Sequence, residues 1–114
     1  MITPDDIRAW ALALPEVTEG THFRLTAFKV RDKGLVTIEK GERSALVSVD
    51  RAAAEAAAAE APDLYEVVWR GGRIFVGVRV DLATAPAERV RELIVVAWRH
   101  RAPKRLVAAH DAGG

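Results

Sequence analysis

The residues best placed to do chemistry in this chain are basic. Arg99, Arg101, Lys104 and Arg105 fall within seven consecutive positions that contain no acid, and Arg70 and Arg73 flank the pair Gly71-Gly72, with Arg79 a short way on. Guanidinium and ammonium groups clustered in this way suit an anionic ligand, above all a phosphate backbone, and two arginines on a glycine turn suit a wing laid along it. A second role competes: cations near a helix C-terminus complement its dipole, and their aliphatic stems cover apolar surface. Seventeen basic against sixteen acidic side chains leave a formal charge of +1. Any basic surface must therefore be local.

Other chemistry finds little support. His22, His100 and His110 are far apart, with no His-x-x-x-His spacing and no Glu-x-x-His on a helix that would set two ligands on one face, since Glu19 and His22 fall outside the predicted helices, so no metal site is expected. Glu16 and Glu19 could pair as carboxylates and His22 lies nearby, but on an exposed loop nothing would desolvate them. There is no Gly-x-Ser-x-Gly elbow, no phosphate-cradling glycine loop and no Gly-x-Gly-x-x-Gly. The expectation is a non-enzyme that needs no cofactor. The lack of cysteine, an acidic N-terminus and the absence of a membrane-length apolar run point to the cytoplasm.

The basic groups must be held by a framework, and the periodicities outline one. Thr3-Pro4 caps a helix over about 4–14, carried by Ile7, Trp10, Ala11 and Leu14. Short apolar or β-branched runs follow at Ala27–Val30, Leu35–Ile38 and Ala45–Val49, separated by Asp32-Lys33-Gly34 and by Lys40–Arg43, and read as a three-stranded meander. Asp50 caps the alanine tract Arg51–Ala61, which Pro62 ends. Tyr65, Val67 and Trp69, then Ile74, Val76, Val78 and Val80, alternate about Gly71-Gly72 as a hairpin. Val90, Leu93, Ile94, Ala97 and Trp98 trace a last long helix, Ala102-Pro103 breaks it, and a short helix runs to about Ala109. The core stripe claims Trp98, and packing claims Trp10 and Trp69 too.

The predicted order is α-βββ-α-ββ-α-α: an α+β, two-layer domain over 1–110, with an antiparallel five-stranded sheet, helices on one face, and residues 111–114 as a frayed tail. Val95 and Val96 widen the apolar face of the long helix and suggest deeper burial or a self-association surface, hence a monomer or weak homodimer.

Two passages, Leu14-Pro15-Glu16-Val17-Thr18-Glu19-Gly20 followed by Ala27-Phe28-Lys29-Val30, and the closing Ala97-Trp98-Arg99-His100-Arg101-Ala102-Pro103-Lys104-Arg105-Leu106, resemble the MmcQ/YjbR family of small bacterial proteins. That resemblance implies a secretion-chaperone-like α+β fold and a DNA-binding role through a double wing. It brings no catalytic residues. The functional expectation is a DNA-binding module using Arg70, Arg73, Arg99, Arg101, Lys104 and Arg105. The alternative is a protein-interaction domain that uses an open sheet face or the Val95/Val96 surface.

Overall fold

A computed structural model describes residues 1–113. Its elements in chain order are α1 (Pro4–Leu12), β1 (Val17–His22), β2 (Leu25–Val30), β3 (Lys33–Ile38), β4 (Ser44–Val47), α2 (Arg51–Glu60), β5 (Tyr65–Arg70), β6 (Ile74–Asp81), α3 (Ala87–Arg101) and α4 (Lys104–Gly113). The fold is α+β with one antiparallel sheet, as expected, but the sheet has six strands instead of five.

The additional strand is β1, which pairs with β2 from Val17↔Val30 to His22↔Leu25. Two features hide it in the sequence. Its side chains are polar and exposed on both faces after Val17, so no alternation marks it. Its two-residue turn, Phe23-Arg24, has φ of 51° and 69°, the left-handed geometry that asparagine and glycine usually signal. Glu16, Glu19 and His22 thus belong to a strand and its approach, not to a loop.

Local rules account for the helices. The Thr3 hydroxyl accepts the Asp6 N–H at 3.2 Å and the Thr3 N–H donates to the Asp6 carboxylate at 2.9 Å, a reciprocal cap that starts α1. In α2 the small Ala54 and Ala57 side chains are fully buried and let the helix lie close on β5 and β6. Asp50 occupies the N-cap position with extended backbone, but its side chain makes no capping hydrogen bond; its carbonyl alone accepts the Ala54 N–H, at 3.0 Å. Helix α4 continues to Gly113, beyond the expected end near Ala109, and Gly114 lies outside the described residues.

The strands run in the order β1-β2-β3-β4-β6-β5. Helix α1 packs on β1 and β2, α3 on β3 and β4, and α2 on β5 and β6, so all three cover one face. Phe28, Val36, Val47 and Val78 point from successive strands into this layer and meet Ile7, Leu93, Ile94 and Trp98, all essentially without solvent contact. Each such burial stabilises by roughly 1.5–3 kcal/mol. Trp98 also donates its indole N–H to the Pro15 carbonyl at 3.0 Å, tying α3 to the segment that enters β1. Gly77 is required where β4 departs from β6: a Cβ there would lie 2.3 Å from the Val47 carbonyl oxygen. Trp10 packs partly against the core, whereas Trp69 stands at the β5 edge, 37% exposed, with the Arg51 guanidinium 5.0 Å from its ring. Val96 packs partly on the core; Val95 is half-buried in a hollow ringed by Glu88, Arg89, Arg91 and Glu92. No helix among the described residues is long and apolar enough to cross a membrane.

Candidate functional site on the open sheet face

Strand alternation sends every second side chain away from the helices. On β2 Phe28 is buried while Leu25, Ala27 and Lys29 face the other way; on β4 Ala45 and Val47 are buried while Leu46 faces out and Ser48, just past the strand, does likewise. This second face is uncovered and forms a groove of about 540 Å³ with an apolar floor of Leu25, Ala27, Leu46 and Val76. Arg70, Lys29, His22 and Arg101 line it. Arg70 arrives from the end of β5 and Arg101 from the last turn of α3, so the two basic regions predicted from the sequence share one surface. The Arg101 guanidinium is held at the groove by donating to the Gly34 carbonyl at 3.1 Å.

Acids moderate this surface without cancelling it. Asp32 and Glu39 also line the groove, but Glu39 receives two bonds from Arg79, at 2.8 and 3.1 Å, and one from the Ser44 hydroxyl at 2.8 Å. Burial pushes the Glu39 carboxyl up, and the hydrogen bonds from Arg79 and Ser44 outweigh it, so the group stays below the usual carboxylate range. Arg79 bonds Glu66 as well, at 2.8 Å, and these carboxylates hold its guanidinium even more firmly protonated than usual. Arg79 is therefore a cross-strand brace, not a free cation.

The six basic residues singled out from the sequence separate into different environments. Arg70 and Arg101 share the groove. Lys104 adjoins it, lining a hollow with Arg31, Lys33, His100 and Arg101. Arg73 stands exposed on the β5–β6 turn. Arg105 lines a separate hollow with Glu16, Arg31 and Leu106. Arg99 is turned away into a bidentate pair with Asp111 of α4, at 2.7 and 2.9 Å. Hydrogen bonding to Arg99 holds the Asp111 carboxyl below its ordinary range. The residue that sequence reasoning passed over is Lys29: flanked by Phe28 and Val30, both buried, it must point to the opposite face by strand period alone.

Glu16, Glu19 and His22 do not converge. Arg31 bonds Glu16 at 2.7 and 3.3 Å, Arg8 bonds Glu19 at 2.8 and 3.0 Å, and His22 packs edge-on against Phe23 with ring centroids 4.5 Å apart. Among the described residues no three His, Cys, Asp or Glu side chains gather as metal ligands do. In comparisons with known proteins, the model of the family described as YjbR matches residues 12–100. No curated protein and no solved structure matches the chain.

Proposed function

The chain belongs to the YjbR family, and from that premise we propose that it is a non-catalytic DNA-binding module whose phosphate contacts come from the open sheet face. The observation that supports this reading is the arrival of Arg70 and Arg101, distant in sequence, in one groove beside Lys29. Lys104 extends the cationic rim from the adjoining hollow, whereas Arg73 lies exposed on the β5–β6 turn and Arg105 lines a separate hollow. Arg99 drops out of the contact set because Asp111 occupies it. Contacts of this kind position a phosphate backbone and carry no base specificity.

Fluorescence anisotropy with a labelled duplex over a salt series tests the reading. Contacts from Lys29, Arg70, Arg101 and Lys104 give a slope of roughly −3.6 in log K against log salt. Binding absent at low salt, or indifferent to salt, refutes it. A protein-interaction role for the same face is the second reading, favoured by the exposed apolar side chains Phe23 and Ile74 at its margins. Recovery of a protein partner from native lysate, with no nucleic acid, would decide for it.

A further inference from the structure

We propose that the outer edge of β5 is a self-complementary docking strand, and that its partner is the β5 edge of a second copy of this chain. Strand β5 ends the sheet and, among the described residues, pairs only with β6. It carries neither proline nor lysine, the residues that commonly blunt a free edge.

The backbone register shows which groups are free. The Asp81 N–H donates to the Leu64 carbonyl at 3.0 Å, so the alternation of an antiparallel ladder turns the peptide groups of Glu66 and Val68 toward β6 as well. Those of Val67 and Trp69 then face outward, and the Tyr65 N–H, also turned away from β6, is taken by the Ala61 carbonyl at 3.1 Å. Two copies of β5 run antiparallel about a two-fold axis normal to the sheet would set Val68 opposite Val68. In that register Val67 and Trp69 exchange N–H and C=O bonds with the partner's Trp69 and Val67, using the groups left free.

The same register sets Glu66 opposite Arg70, twice, on the open face. These are non-hydrogen-bonded pairs, in which side chains approach most closely. Glu66 is suited to the contact: one carboxylate oxygen takes Arg79 at 2.8 Å and the other has no partner among the described residues. A charge row running Glu39, Arg79, Glu66 across the sheet would thus continue onto the partner's Arg70. Shifting the register to centre on Val67 sets Glu66 against Val68 and loses both ion pairs. The opposite edge, β1, offers no such pattern, and its Glu19 is already held by Arg8. This pairing does not depend on the DNA reading.

Sedimentation equilibrium of the full chain, from about 10 μM to about 1 mM, tests the inference. A reversible monomer–dimer equilibrium is expected. Arg70→Glu and Glu66→Arg should each raise the dissociation constant roughly tenfold, because like charges then oppose one another twice. Mixing the two variants in equal amounts should restore association, since every contact in the heterodimer again joins opposite charges. Val67→Pro removes an outward N–H, keeps the bonds that join β5 to β6 and gives up part of the Val67 core packing, and should abolish association while unfolding stays cooperative; it decides the matter if Glu66→Arg, which also loses Arg79, fails to fold. A monomer at every concentration, association unchanged by Val67→Pro, or no recovery on mixing two folded variants would overturn the proposal. A monomer that captures a strand from another protein would overturn it equally.

Discussion

Arg99 and Arg101 sit two positions apart at the end of α3, yet replacing each by alanine should have different consequences for DNA affinity. Arg101 lines the groove beside Lys29 and Arg70 with its guanidinium bonded, among the described residues, only to the Gly34 carbonyl, which leaves most of its donors for a phosphate. Arg99 already spends both terminal nitrogens on Asp111. One phosphate contact contributes about 0.9 to the salt slope, so at about 0.1 M salt its loss should weaken binding about eightfold. Arg101→Ala should therefore lower affinity by that factor and flatten the slope by about 0.9. Arg99→Ala should leave the slope unchanged. Anisotropy titrations over a salt series measure both quantities, with thermal unfolding recorded for each variant to confirm that the domain remains intact. Equal losses for the two arginines, or a flatter slope for Arg99→Ala alone, would refute the assignment of the groove as the phosphate surface.

Three other outcomes follow from the fold. Gly77→Ala pushes a Cβ against the Val47 carbonyl oxygen, a backbone atom that cannot move aside, so a cost of about 3 kcal/mol and a fall in Tm of about 12 °C are expected; calorimetry showing an unchanged Tm would contradict the close approach. Replacing Phe23-Arg24 by Asn-Gly relieves two left-handed residues at roughly 1 kcal/mol each and should raise Tm by about 8 °C, whereas a lower Tm would show that the native turn is not strained. The Asp111 carboxyl is held below its ordinary value of 3.8, so the Arg99–Asp111 link is fully present above that value and is lost as pH falls through the lower folded value. The protection of amides in the last turn of α4, taken as the ratio of intrinsic to observed exchange rate, should therefore fall at acid pH, and Asp111→Asn should remove that acid dependence.

Most of the framework was legible from the chain because its signals are local. The proline starts and stops, the Thr3 cap, the alternation of β5 and β6 and the apolar stripe of α3 are each set by neighbours a few positions apart. Strand β1 was not legible. An edge strand with two polar faces has no hydrophobic period, and Phe23-Arg24 is not a turn that composition announces. Asp50 occupies the cap position that its residue type predicts, but its carbonyl and not its side chain serves the helix.

The basic residues divide along the same line. Their number, their clustering and the near-neutral total are properties of the sequence alone, and strand period by itself places Lys29 opposite Phe28. Which of them remain available is a question of partners far along the chain, and only tertiary structure answers it: Asp111 removes Arg99, Glu39 and Glu66 remove Arg79, and the end of α3 brings Arg101 to the face that Arg70 reaches from β5. Charge is written residue by residue, but the pairing that neutralises it depends on which elements the core packs together.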